Sequence, residues 1–207
     1  PNQIANNDLG WEKNNQYNVG VDANLWNGLL GVNLDFYYTK TTDMLLDVPV
    51  PSVSGFTKSL MNIGSMQNKG IEVNLSSRKQ IGDFHYELTA NWSLNRNKVL
   101  SLGDEDAPMI VESSYAGGYY ITQVGQPVGC YYLMVQDGIF HNQEELDSYP
   151  HFDTTVVGDF RFVDADGDGV LEKDDDRVIV GNYMPDFYYG FGLSLGYKGF
   201  DFLANFQ

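Results

Sequence analysis

Apolar and polar residues alternate along several long stretches of the chain. Between Gln16 and Leu25 the odd-numbered positions are apolar, and the even-numbered ones are Gln, Asn, Gly or Asp. Between Leu30 and Tyr38 the even-numbered positions are the apolar ones. A period of two is typical of a β-strand with one apolar and one polar face. The pattern therefore predicts β-strands in both stretches.

The dipeptide Asn27-Gly28 between these stretches predicts a tight β-hairpin, because both residues tolerate the backbone of a two-residue turn. With these two as the turn, Val21 faces Leu34 and Ala23 faces Val32, so that apolar residues meet apolar residues at every step. A slip of one residue would put the apolar positions of the two strands on opposite faces. The sequence therefore predicts the register of this hairpin as well as its existence.

Two further hairpins follow from the same pattern. One turns around residues 80–83, between alternating stretches that begin at Ile71 and Phe84. The other turns at Lys198-Gly199 and places Tyr197 opposite Phe200. The strands are roughly 10 residues long or longer, and about 9–11 tilted residues span a bilayer. Aromatic residues stand near the strand ends: Trp11, Tyr17, Trp26, Tyr38, Phe84, Tyr86 and Tyr197.

Long strands with an apolar face, a polar face and terminal aromatic residues are typical of a large transmembrane β-barrel of the outer membrane. The predicted fold class is therefore all-β, with antiparallel hairpins that form part of such a barrel. A soluble sandwich or solenoid of hairpins, in which a second layer covers the apolar face, is the alternative.

The connections between hairpins predict three regions. Residues 1–97 are expected to hold barrel strands, as two hairpins and one long loop at 41–67. Residues 98–185 are expected to form a long extracellular loop segment, and residues 186–207 a truncated barrel hairpin. Short turns on one rim and long loops on the other are typical of outer-membrane barrels. Because the chain lacks an initial Met and ends within an alternating stretch, we expect a fragment of a larger protein.

Composition narrows the classes of function. Among 207 residues, 12 are basic and 28 acidic, and the net charge of −16 argues against a nucleic-acid partner. One cysteine cannot form a disulfide within the chain. The chain contains no G-x-S-x-G, P-loop or H-E-x-x-H motif. We therefore expect neither an enzyme nor a disulfide-stabilised scaffold.

One acidic stretch, residues 164–175, fits the calcium-loop pattern of the EF-hand, with Gly169 at the sharp turn. Its predicted ligands are Asp164, Asp166, Asp168, the Val170 carbonyl, Glu172 and Asp175. Asp175 stands where Glu is usual, and no flanking amphipathic helices are evident. The pattern predicts a structural Ca²⁺ ion, and an ordinary turn rich in Asp and Gly is the alternative.

Seven short motifs occur in order over nearly the whole chain: Asn7–Lys13, Asn62–Glu72, Asn95–Val99, Val124–Gly129, Asp137–Phe140, Gly158–Phe162 and Tyr197–Asp201. Together they resemble the late barrel strands of SusC/RagA-type TonB-dependent outer-membrane transporters.

The resemblance implies a roughly 22-stranded barrel with an N-terminal plug domain, of which this chain would be a C-terminal portion. It implies energy input from TonB through the plug region, which this chain lacks. It also implies a SusD-like surface lipoprotein as partner, and import of oligosaccharides, peptides or other nutrients. The barrel would contact the lipid of a Gram-negative, Bacteroidetes-like outer membrane, with its loops extracellular. A soluble calcium-stabilised β module that binds carbohydrate or protein is the alternative function.

Overall fold

This computed structural model describes residues 3–4, 6, 8–49, 53, 55–56, 58–103, 106–112 and 118–207. The chain divides into two compact units. The first comprises Pro1–Ala107, Val124–Pro127 and Met184–Gln207, and the second comprises Pro108–Gln123 and Val128–Tyr183. Among the described residues, no helix has the length and apolar character needed to cross a membrane.

The elements in chain order are β1 (Gln3–Ile4), β2 (Lys13–Leu25), β3 (Leu30–Pro49), β4 (Lys58–Ile81), β5 (Phe84–Leu102), β6 (Met109–Glu112), β7 (Tyr119–Thr122), β8 (Cys130–Met134), β9 (Gln136–Ile139), α1 (Gln143–Ser148), β10 (Phe160–Phe162), β11 (Arg177–Asn182), β12 (Tyr188–Tyr197) and β13 (Phe200–Phe206).

The first unit is built on one large sheet with the strand order β13-β12-β5-β4-β3-β2. Neighbouring strands on this path are antiparallel, and β1 adds a short parallel pairing to β4. The predicted all-β architecture of antiparallel hairpins is therefore confirmed.

The predicted hairpin registers are also confirmed. Val21 pairs with Leu34 and Ala23 with Val32, and the Leu29 amide donates to the Trp26 carbonyl at 3.3 Å across the turn. Gly28 has φ +82°, a left-handed conformation that costs glycine little. In the last hairpin, Tyr197 pairs with Phe200 as predicted.

The prediction of a loop at 41–67 is wrong for most of these residues. Residues 41–49 continue β3 and residues 58–67 begin β4, where Leu45 pairs with Asn62 and Val48 with Ser59. Asp43 has φ +57°, and the register shifts between Thr41 and Leu45. Such a β-bulge breaks the alternation of side chains while backbone pairing continues beyond it. The sequence pattern therefore ended before the strands did.

The second unit has a fold of its own. Four of its strands form a sheet in the order β11-β8-β7-β6, and β9 pairs with β10. Asn142 is the N-cap of helix α1, and its side chain accepts a hydrogen bond from the Glu145 amide. The unit's buried residues are Ile121, Cys130, Phe140, Leu146, Leu171 and Asp176.

The prediction of a loop over residues 98–185 needs correction on two counts. Residues 98–102 belong to β5, and the rest contains the sheet and buried core described above. Residues Cys130–Met134 form β8, which pairs with β7 and β11. Strands β6 and β7 are only four residues long, which is too short to show a clear alternation.

Candidate functional site

One face of the large sheet is apolar from edge to edge. Backbone pairing aligns apolar side chains into rows, such as Ala23, Val32, Leu75, Ala90, Phe191 and Phe206. A second row contains Val21, Leu34, Val73, Trp92 and Tyr189. Many of these side chains are exposed: Val21 is 57% exposed and Phe202, on the same face, 56%. An apolar surface of this extent marks a site of contact with a membrane or another apolar partner.

The opposite face carries small and polar residues. The row next to the apolar ones contains Asp22, Asn33, Asn74, Asn91 and Gly190. Gly70 allows the Tyr37 ring to pack directly against its backbone, because the ring lies where a side chain at position 70 would stand. The Tyr37 hydroxyl then donates to Asn95 Oδ1 at 3.1 Å. One sheet thus separates an apolar surface from a polar one.

The acidic loop between β10 and β11 is shaped by carboxylates that accept hydrogen bonds from its own backbone. Asp164 accepts from the Gly167 amide at 2.7 Å and from the Gly169 amide at 2.8 Å. Asp166 accepts from the Asp168 amide at 3.1 Å, and Asp168 from the Val170 amide at 2.8 Å. Gly167 and Gly169 have φ +76° and +87°, so the chain can wrap tightly around these carboxylates.

Three of the predicted ligands come together. Asp164, Asp166 and Asp168 each offer a carboxylate oxygen, and these oxygens lie within 4.8 Å of one another. Glu172 and Asp175 are exposed and contact each other through their carboxyl groups, outside that group of three. Val170 donates its amide to Asp168 and has a 55% exposed side chain.

Hydrogen bonds and neighbouring charges shift the pKa values of the loop carboxyl groups in both directions. The pKa of Asp164 is lowered, first by the hydrogen bond from the Gly169 amide. The pKa of Glu172 is raised, first by its hydrogen bond with Asp175 and then by the charge of that residue. For Asp166 the hydrogen bond from the Asp168 amide acts to lower the pKa, but desolvation and the Asp168 charge outweigh it and raise the pKa. A cation would relieve this repulsion.

Asp176 is a structural residue of the loop that the sequence analysis missed. Its side chain is 1% exposed and accepts from the Ala165 amide at 2.6 Å and the Glu172 amide at 2.7 Å. The twelve-position pattern stops at Asp175, one residue too early. The available signal was its place as the last acid of the run Asp174-Asp175-Asp176, directly before β11.

Hard carboxylate oxygens on a tightly wrapped loop are the ligands that Ca²⁺ prefers. Asp164, Asp166 and Asp168 fit such an ion as a partial ligand set, which the Val170 carbonyl and further carboxylates could complete. Such a site would stabilise the loop.

The sequence matches the family described as TonB dependent receptor-like, beta-barrel, over residues 1–204. Together with the antiparallel sheet and its two contrasting faces, this match shows that the chain belongs to that family. Proteins of this family are transport receptors of the outer membrane.

The chain is similar to TonB-dependent receptors, SusC among them, and to the RagAB peptide transporter. The chain is 36% identical over 205 residues to TonB-dependent receptor P26 of Formosa agariphila, covering 98% of this chain and 21% of the relative. It is 28% identical over 206 residues to TonB-dependent receptor SusC of Bacteroides thetaiotaomicron, covering 95% and 19%. The solved structure of the RagAB peptide transporter matches with a TM-score of 0.76 and 27% identity, over 98% of this chain and 21% of that one. The chain thus spans about a fifth of the length of these relatives.

Proposed function

We propose that this chain forms part of the barrel of a nutrient importer in the outer membrane. Its apolar face contacts lipid and its polar face lines the barrel interior. The proposal rests on the apolar row that crosses six strands, from Ala23 to Phe206. The opposite face of the same sheet carries a row of Asp, Asn and Gly. Strands β2, β3, β4 and β5 have 13, 20, 24 and 19 residues, more than the roughly 9–11 that a bilayer requires.

The proposed importer works with a SusD-like surface lipoprotein and takes up oligosaccharides or peptides. Support comes from the relative named SusC and from RagAB, which is described as a peptide importer. TonB supplies the energy, through a plug region that lies outside this chain. This division of tasks follows from the family resemblance.

The proposed orientation has the tight turns on the periplasmic side. The turns after β2, β4 and β12 are short, while the chain leaves β5 at Leu102 and returns at Tyr188 only after a long folded segment. Outer-membrane barrels have short periplasmic turns and longer extracellular connections. The segment between β5 and β12 is therefore assigned to the extracellular side, where it contacts the lipoprotein or the substrate.

The proposed role of Ca²⁺ is to stabilise the acidic loop within this extracellular segment. The clustering of Asp164, Asp166 and Asp168 supports it, as does the raised pKa of Asp166 and Glu172. The ion has no contact with the transported nutrient in this proposal.

Uptake by intact cells tests the proposed function. The gene for the whole receptor is deleted and then restored, and the uptake of fluorescent peptides and of fluorescent oligosaccharides is measured in each strain. Uptake of one class should disappear on deletion and return on restoration, and it should stop when the proton gradient is dissipated. Unchanged uptake of both classes after deletion contradicts the proposal. Co-purification of a surface lipoprotein with the restored receptor tests the partner.

A further inference from the structure

Basic residues gather at one end of the apolar face. Backbone pairing aligns Tyr17, Tyr38, Lys69 and Arg96 in one row across β2–β5. The next row on this face, farther from the tight turns, contains Asn15, Lys40, Gln67 and Lys98. We call the four cations the basic cluster: Lys40, Lys69, Arg96 and Lys98. They make up four of the 12 basic residues in a chain whose net charge is −16, so the cluster opposes the overall charge.

The basic cluster shares its face with the apolar rows. Strand side chains alternate, so Lys69 lies on the same side as Ile71 and Val73, and Arg96 on the same side as Leu94. Side chains two residues apart on a strand lie on the same face, about 7 Å from each other. Lys69 therefore begins the charged region about 7 Å beyond the last apolar row. The face thus passes from apolar to aromatic to basic within a short distance.

Most of this positive charge is not neutralised by the chain. All four side chains belong to exposed residues. Arg96 pairs with Asp186 at 2.6 Å. In the part of the chain that the structure describes, Lys40, Lys69 and Lys98 form no salt bridge. Three exposed lysines beside an apolar surface are therefore available to an anionic partner.

The opposite end of the same face differs. It ends in aromatic and aliphatic residues near the tight turns, such as Trp26, Ile81 and Phe84, and Lys79 is the cation on the outward face of β4 there. On this face of β2–β5, positive charge is thus concentrated at the end away from the tight turns. Lys79 pairs with Tyr86 and is exposed, as Lys69 is, which makes the two lysines a matched pair on one strand.

We propose that the basic cluster binds the phosphate of an anionic lipid in the outer leaflet of the membrane. An occupant must satisfy an apolar surface and an adjacent group of cations at once, and a phosphate-bearing lipid does so with its acyl chains and its headgroup. Tyr17 and Tyr38, with ring centroids 6.5 Å apart, mark the depth of the membrane interface, where tyrosine is enriched. Lysine side chains at this depth extend toward the headgroups. The inference rests on the proposed placement of the sheet in the membrane.

Native mass spectrometry of the whole receptor in a non-ionic detergent tests the inference. The probe is dipalmitoyl phosphatidic acid, and dipalmitoylglycerol serves as the control that has the same acyl chains without phosphate. The wild-type receptor should retain phosphatidic acid in preference to dipalmitoylglycerol. Each lysine near a lipid phosphate contributes about fivefold in affinity. The triple substitution Lys40→Gln, Lys69→Gln and Lys98→Gln should therefore reduce phosphatidic acid binding by more than tenfold.

Lys69 and Lys79, the matched pair on β4, provide a substitution and its control. Lys69→Gln should weaken phosphatidic acid binding about fivefold, whereas Lys79→Gln on the same strand should leave it unchanged. The corresponding triple substitution to Arg keeps the charges and should bind as the wild type does. Heat-modifiable migration on gels shows that each variant is folded.

Several results overturn the inference: equal binding by a folded triple Gln variant, equal retention of dipalmitoylglycerol, or displacement of phosphatidic acid by millimolar inorganic phosphate. Uptake is measured separately. A receptor that imports its nutrient without binding phosphatidic acid through the basic cluster overturns the lipid site alone. One that binds the lipid and imports nothing overturns the proposed function alone.

Discussion

The buried carboxylate of Asp176 accepts hydrogen bonds from two backbone N–H groups at opposite ends of the acidic loop, those of Ala165 and Glu172. Removing it leaves both N–H groups without this acceptor, and a hydrogen bond to a charged group contributes about 1.5–3 kcal/mol. Asp176→Ala should therefore speed amide hydrogen exchange at Ala165 and Glu172, in chelator so that no ion contributes. Asp175→Ala, at an exposed neighbouring acid, should change exchange little. Equal exchange rates in the two variants would contradict the role assigned to Asp176.

A second residue-level prediction concerns the ion. Addition of Ca²⁺ to the whole receptor should protect the bonds after Lys173 and Arg177 from trypsin, with half-protection at roughly 10⁻⁴–10⁻³ M as in extracellular modules. Asp168→Asn should raise the required Ca²⁺ concentration at least tenfold, because it removes one of three clustered carboxylates. Asp153→Asn, at an exposed acid outside the loop, is the control. If Ca²⁺ leaves the wild-type digestion pattern unchanged, the loop is an ordinary acidic turn.

At the residue scale, the sequence predicted five clustered carboxylates, of which Asp164, Asp166 and Asp168 come together, and it did not predict the burial of Asp176. The alternation of Asp and Gly from Asp164 to Gly169 predicts a wrapped loop, and Asp164, Asp166 and Asp168 do converge. The choice between Asp175 and Asp176 depends on the direction in which the chain enters β11. That direction follows from the pairing of Arg177 with Met134 on β8, which is a long-range contact that no local pattern contains.

Neighbouring residues of one strand should differ in how well they tolerate a charge. Val73 lies in the apolar row between Leu34 and Trp92, whereas the adjacent Asn74 lies on the polar face between Asn33 and Asn91. A lysine on the lipid face near the bilayer midplane costs about 2–4 kcal/mol. Val73→Lys should therefore lower the unfolding free energy of the receptor in lipid vesicles by that amount, and Asn74→Lys by less than about 1 kcal/mol. Denaturant titration measures both, and a larger loss for Asn74→Lys would reverse the assignment of the two faces.

The elements with strong local signals were predictable. Alternation and a tight turn together determined the β2–β3 and β12–β13 registers, because a slip would have separated Val21 from Leu34 or Leu195 from Phe202. The upper parts of β3 and β4 were not predictable in this way. The bulge near Asp43 moves side chains from one face to the other, although the backbone of Leu45 still pairs with that of Asn62.

The whole chain of 207 residues should not behave as a soluble monomer by itself. Its apolar face is exposed, as Phe206 and Val19 show, and β2 and β13 each pair with one neighbour among the described strands. Exposed apolar faces and open strand edges promote association. Light scattering after gel filtration should show oligomers or require detergent. A monodisperse monomer without detergent would instead favour a soluble calcium-stabilised module.

Orientation is also testable on the whole molecule. An epitope tag at Ser148, in the segment between β5 and β12, should be accessible to antibody on intact cells. A tag at Asn27, in the β2–β3 turn, should become accessible only after the outer membrane is permeabilised. The reverse result would invert the proposed orientation and would place the basic cluster in the inner leaflet.

Cys130 is 1% exposed between β7 and β11, and burial raises the pKa of its thiol. A buried, protonated thiol reacts slowly with alkylating reagents. Because it is the one cysteine of this chain, a cysteine introduced at a water-facing position of β2–β5 would react with a maleimide or a spin label long before Cys130 does. Each strand could then be scanned one position at a time with Cys130 left in place, and the labelling rate would report directly whether a position faces water or hydrocarbon.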